Sequence, residues 1–202
     1  TEIYTLSLHD ALPIFDPDDA SRLSFPYRSK GCYCYDRNKI EKVRIINNFA
    51  HLFNGALFRN TVFFRVGLPD MRLFIRGDES DFMFRMKAAK IRFATVTAVG
   101  YVHPSGRSET VPLIDGYFHA VIPPMNMKRY CFFRNRGYVF RRYKLYHYFV
   151  YDMLRYPVYF LFVNNFDWRG MTFFFRALWD GFMGRFNYPH LKVVEQCKNG
   201  YK

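Results

Sequence analysis

The sequence predicts an α/β fold that gives way, after residue 127, to aromatic and basic helices. Runs rich in β-branched and aromatic residues at 43–59 and 91–103 have the composition of strands. Between them, Phe82, Met86 and Ala89 recur at the spacing of one helical face. From Lys128 the text KRYCFFRNRGYVFRRYKLYHYFVYDMLRYPVYFLFV interleaves Arg and Lys with Phe and Tyr, a helical pattern with a wet side and a greasy one. With 50% hydrophobic and 21% aromatic residues the chain has a core to bury, so a disordered class is excluded.

Residues 1–14 (TEIYTLSLHDALPI) lack an initiator Met, are similar to a translated sequencing adapter, and are left out of the expected fold. They do not make a signal peptide, because no basic stretch opens them and Glu2 and Asp10 interrupt any apolar core. Residues 16–44 are polar, with turn chemistry at Asp16-Pro17-Asp18-Asp19 and Lys30-Gly31. Cys32 and Cys34 sit in an alternation expected at a strand edge or loop. With Cys131 and Cys197 they form no CxxC pair, so reduced thiols are expected rather than a zinc site or disulfide framework. Residues 43–59 predict two extended segments around Asn54-Gly55. Asn60 to Val66 predicts a short helix with an Asn cap and a left-handed stop at Gly67.

A helix is expected from Glu79 to Lys90, then β-structure from Ile91 to His103 with a bend near Gly100. The Pro- and Gly-punctuated stretch 104–128 reads either as a loop over an acceptor site or as a linker. Beyond it the window Leu145 to Val163 is interrupted by Asp152, Arg155 and Pro157, so it is not expected to span a bilayer. Basic and aromatic faces on this helix, and on a second at 171–185, fit binding to an anionic membrane surface, or packing onto the rest of the fold. The net charge of +13 and pI near 9.7 call for a polyanionic partner: nucleic acid, anionic lipid or a phosphate-bearing substrate.

The candidate site is the stretch 74–103. Asp78, Glu79 and Asp81 form an acidic turn at a helix start, and His103 closes the β-run behind it. Carboxylates beside an imidazole can hold a divalent cation, and one carboxylate can serve as a general base. The structural alternative is that the acids complement the helix dipole and cap its free N–H groups.

This text resembles the second half of the catalytic domain of family 2 glycosyltransferases, in particular bacterial rhamnosyl- and galactofuranosyltransferases. The resemblance rests on Asn54-Gly55-Ala56-Leu57, Gly67-Leu68-Pro69, the run 74–82 with Arg85, Ala88 and Ala89, and Val102-His103. The segments 130–136 and 177–185 extend it, so that it covers residues 45–187. It implies part of a GT-A (Rossmann-like) domain over 15–127, followed by a helical, membrane- or acceptor-side region over 128–202. It also implies sugar transfer with inversion from a nucleotide-diphosphate sugar to a glycan or lipid-linked glycan.

By the same resemblance Glu79 aligns with the catalytic base and His103 with a ligand of a divalent cation (Mg or Mn). Asp78 would shape the turn or touch a sugar, Asp81 would orient acceptor hydroxyls or Arg85, and Asn54 and Gly55 would let backbone approach the sugar. The base in the family is usually Asp, so the assignment between Asp78 and Glu79 stays open. Asp16-Pro17-Asp18 has the form of the family's donor-binding D-x-D but stands too close to the turn and follows no buried strand, so it is read as a solvated turn. Residues 15–77 leave no room for a nucleotide-binding half, and the chain is expected to be a C-terminal piece, inactive alone. A place on the cytoplasmic face of a bacterial plasma membrane follows from the kinship. The competing reading is a noncatalytic basic, aromatic protein bound to membrane or nucleic acid, although no nucleic-acid motif is present.

Overall fold

The computed structural model describes residues 9–29, 32–52, 55–73, 75–105, 107–114 and 118–186. The chain divides into two compact units: residues 1–69 with 82–108, and residues 70–81 with 109–202. It mixes helix and sheet, as the α/β expectation has it.

The first unit holds two sheets. Its strands are β1 (His9–Ala11), β2 (Ile14–Phe15), β3 (Arg22–Ser29), β4 (Cys32–Asp36), β5 (Ile45–Asn47), β6 (Ala56–Phe58), β7 (Ala94–Val96) and β8 (Tyr101–Val102). One sheet has the order β5-β7-β1-β6, with β1 parallel to β7 and antiparallel to β6; the other runs β4-β3-β2-β8, with β2 parallel to β8. Residues 9–14, set aside in the sequence reading, thus supply an inner strand to one sheet and part of an inner strand to the other. Ala11 and Ile14 are 0% and 1% exposed. Pro13, which has no N–H to give a ladder, falls between the two strands where the chain changes sheets.

The polar stretch 16–44 is more ordered than its composition suggests. β3 and β4 pair antiparallel and lead into α1 (Arg37–Glu41), capped by the Asp36 carboxylate, which accepts from the Asn38 and Lys39 amides at 2.9 and 3.4 Å. Leu23, Tyr27, Ile40 and Ile46 close a small core there. The helix α2 (Asn60–Val66) starts one residue earlier than an Asn60 cap allows: Arg59 holds the cap position and Asn60 is already helical. Gly67 has the expected positive φ of 76°, but its ψ of 175° sends the chain onward extended rather than into a left-handed turn.

The helix α3 (Asp78–Ala88) crosses the division of the chain, its first turn counting with the second unit and the remainder with the first. As the spacing required, Phe82 and Met86 are fully buried, in a core with Ala50, Leu52, Val62, Ile91 and Phe93. Burying a side chain of the size of Phe82 or Met86 contributes about 2 kcal/mol.

In the second unit the stretch expected as loop contains a hairpin, β9 (Thr110–Ile114) with β10 (Phe118–Val121). Three helices follow: α4 (Asn126–Arg142), α5 (Tyr146–Val158), which ends in a π-helical turn at Tyr159–Val163, and α6 (Trp168–Phe182). Phe133 stacks edge-on against Tyr156 and Phe174, with ring centroids 4.9 and 5.0 Å apart, in a core that also buries Phe160, Ala177 and Leu178. Asp152, which the sequence offered as an interruption of an apolar run, is 0% exposed. Its carboxylate accepts from Arg136 at 2.6 and 2.9 Å and pairs with Arg155 at 2.7 Å. Among the described residues no helix is long and apolar enough to cross a membrane.

Candidate active site

In the second unit, the chain approaching the acidic turn is gripped from α4. Ile75 and Gly77 both take positive φ, 79° and 97°, folding 75–77 into a tight bend that opens α3. A Cβ on Gly77 would stand 3.0 Å from the Asn135 Cβ, so the bend and α4 touch where only glycine leaves room. The Arg134 guanidinium donates to the Arg72 carbonyl at 2.9 Å, and through Nε to the Asn135 amide oxygen at 3.0 Å. That second bond turns the Asn135 NH2 toward the Arg76 carbonyl, to which it donates. Arg76 in turn pairs with Glu109, a carboxylate shared with Lys128 at 2.6 Å.

The three acids of the turn are not equivalent. Asp81 is 1% exposed and accepts from the Tyr143 hydroxyl at 2.7 Å, with the Arg142 guanidinium 3.4 Å away. Burial, and then the Asp81 carboxylate, push the Tyr143 phenol well above its ordinary range, so it stays a donor at every working pH. Asp78 and Glu79 are half-buried, one residue apart on the first turn of α3. Asp81 therefore anchors the turn, while the other two keep solvent access that chemistry with an incoming hydroxyl requires.

The other predicted residues lie in the first unit. His103 is exposed, directly after β8, and its backbone is held by β2 and β3. Its N–H donates to the Phe15 carbonyl at 3.1 Å, and the Ser24 hydroxyl reaches the His103 carbonyl. Its ring lies 6.5 Å from that of Tyr101 and 5.8 Å from that of Phe25. Gly55, with φ 77°, is beside the same Tyr101: a Cβ there would fall 2.8 Å from its Cε1. The structure thus gathers Gly55 and His103 around one tyrosine, and the small residue makes space for a ring of the protein itself. Arg85 donates to the Val66 carbonyl, the last of α2, and lies 5.1 Å over the Phe82 ring. Asn54 and Phe74 are outside the described residues, as are Cys197 and residues 1–8.

Among the described residues of either unit, no three His, Cys, Asp or Glu side chains gather as a cation site. His103 still fits a single ligand. Its Nδ1 lies 2.7 Å from the Pro104 carbonyl, and donation there leaves Nε2 with the lone pair a metal takes, the arrangement of a histidine oriented by its second bond. Asp16 is 5% exposed, so the turn at 16–18 is not wholly solvated; Asp16 Oδ1 accepts from the Asp18 amide at 2.9 Å and closes an Asx turn.

The sequence reading missed Asn135, Tyr143, Arg142 and Glu109 as supports of the turn. Their signal was available in part, since a buried Arg134-Asn135 pair inside an aromatic helix has to answer to polar groups outside that helix.

No family model and no solved structure matches the chain. Curated proteins do. The galactofuranosyltransferase GlfT1 of Mycobacterium tuberculosis is 39% identical over 128 residues, 60% of this chain and 41% of that protein. The galactofuranosyltransferase GlfT1 of Mycolicibacterium smegmatis is 34% identical over 178 residues, 83% of this chain and 58% of that protein. The chain therefore spans about half the length of the curated relatives it matches. On these similarities, the protein is related to galactofuranosyltransferases and thereby to glycosyltransferases.

Proposed function

We propose that the chain is the C-terminal, acceptor-side part of an inverting glycosyltransferase of family 2 and GT-A fold. It would move galactofuranose, or a related sugar such as rhamnose, from a nucleotide-diphosphate donor to a hydroxyl of a growing cell-wall glycan. The observation that carries this reading is the division of labour in the acidic turn: Asp81 buried and bonded, Asp78 and Glu79 half-exposed on a turn that α4 holds still. Relatedness to galactofuranosyltransferases supplies the sugar class.

In this mechanism one of Glu79 and Asp78 takes the acceptor hydroxyl proton as its oxygen bonds to the anomeric carbon from the face opposite the diphosphate. The bond to the diphosphate oxygen breaks in the same step, through a transition state of oxocarbenium character. His103, through Nε2, would be one ligand of a divalent cation, Mg or Mn, whose charge would offset that of the departing diphosphate. Asp81 would hold in place the turn that carries Glu79 and Asp78. The nucleotide-binding half is proposed to be a separate stretch of sequence, and the enzyme to work on the cytoplasmic side of a bacterial plasma membrane as a peripheral protein.

The reading is tested by joining the chain to its nucleotide-binding half and measuring transfer from the nucleotide sugar. Glu79→Gln or Asp78→Asn, whichever removes the base, is expected to lower kcat on the order of a hundredfold or more. Full activity in both variants would refute the assignment. The 202-residue chain alone is expected to transfer no sugar; turnover by it would show that the donor site is already complete.

A further inference from the structure

Among the described residues, the face that α6 and the turn before it present to solvent combines exposed aromatic rings with positive charge and no outward acid. Phe162, Phe166 and Trp168 are 72%, 59% and 59% exposed. The first two pack against each other, ring centroids 6.3 Å apart, instead of against the core. Asn165 and Phe166 hold positive φ, 49° and 56°, a conformation costly for residues other than glycine, and here Phe166 gains no burial in exchange. Along α6, Arg169, Arg176, Trp179 and Met183 recur on the exposed side, opposite the buried Phe174, Ala177, Leu178 and Gly181.

The carboxylates of residues 143–186 are Asp152, Asp167 and Asp180, and all have internal partners. Asp152 takes Arg136 and Arg155, Asp167 caps α6 through the Gly170 amide at 2.8 Å, and Asp180 accepts from the buried Tyr130 hydroxyl at 2.9 Å. Among the described residues of this segment, what is left outward is cationic and aromatic, the complement of an anionic lipid headgroup layer over acyl chains. A protein surface of ordinary mixed charge has no such match.

We propose that this face is a membrane-docking surface. The rings at 162–168 enter the headgroup–acyl boundary, and Arg169 and Arg176 lie against anionic headgroups. This rests on the membrane-surface transferase reading only for the choice of the cytoplasmic leaflet; the chemistry of the face stands without it.

The chain carries two tryptophans, Trp168 and Trp179, and both lie on this face, so intrinsic tryptophan fluorescence reads it directly. With vesicles of phosphatidylglycerol and phosphatidylcholine the emission is expected to shift to the blue and to be quenched by brominated acyl chains. Vesicles of phosphatidylcholine alone should give a much weaker response. Arg169→Gln with Arg176→Gln should weaken partitioning about 25-fold, roughly fivefold for each cation. Phe162→Ser with Phe166→Ser should weaken it by about a hundredfold, with the far-ultraviolet circular dichroism of both variants unchanged.

No shift on anionic vesicles overturns the proposal, and so does lipid binding that neither pair of substitutions reduces. A lipid-free blue shift that grows with protein concentration, together with a doubled mass by light scattering, would assign the face to a second copy of the chain instead. A failed sugar-transfer assay leaves this readout untouched, so the two readings fall separately.

Discussion

Asp81 has 1% of its surface exposed, and a carboxylate so placed must find donors or lose its charge. Tyr143 is one of them, from 62 residues further along the chain. Tyr143→Phe removes that bond without opening a cavity and is expected to cost about 2 kcal/mol, because the bond is to a charged, buried acceptor. Urea denaturation checks it; an unmoved midpoint would mean that Asp81 is adequately held by its other contacts. His51 carries a different dependence. Its ring lies between Phe25 and Phe49, with one nitrogen 3.1 Å from the Pro26 carbonyl, and burial lowers its pKa below the ordinary 6.5. The unfolded chain therefore takes up a proton at higher pH than the folded one does. Stability contributed by neutral His51 is full above about 6.5 and is lost as pH falls through that value toward the folded pKa. Thermal melts between pH 5 and 8 should show the loss, and His51→Gln should flatten it.

Between α4 and α6 the decisive residues are those with no side chain. A Cβ on Gly137 would lie 2.1 Å from the Leu178 carbonyl oxygen, and one on Gly181 would lie 1.6 Å from that of Arg134. Helical propensity alone favours Gly→Ala by about 1 kcal/mol at a mid-helix position. Here the opposite sign is expected: Gly181→Ala forces two backbones apart and should destabilise by about 2 kcal/mol or more, as overpacking does. A raised melting temperature for Gly181→Ala would show that the helices do not cross so closely. At this scale the sequence was informative where one face repeats, as with Phe82 and Met86, and uninformative where a contact is made by backbone. The segment around Gly181 was recognisable as family text, but neither periodicity nor composition could say that Arg134 presses on it. The hairpins at 22–36 and 110–121 were hidden for a related reason. One strand of each carries a proline, Pro26 in β3 and Pro112 in β9, which argues against a strand when read from sequence.

For the molecule as a whole, the sequence could mark the three acids as the start of a helix, which the structure has from Asp78, but not the supports of that turn, because each depends on a partner far away in sequence. Residues 9–14 are the largest departure. Text set aside as foreign to the fold occupies an inner position in both sheets of the first unit. A chain beginning at Phe15 is expected to expose residues 45–103 to limited proteolysis while 109–186 stays protected, since β6 and β7 lose the strand between them. Equal protection of both regions would mean that the sheet closes without β1.

The same arrangement bears on how the protein is made. β1 is completed at Ala11, yet its parallel neighbour β7 does not begin until Ala94. On a ribosome adding about 5–20 residues each second, β1 waits several seconds for β7, and even after β6 has been made its other backbone edge stays open. Pairing over such a distance closes slowly, and chaperone demand during synthesis should track this unit.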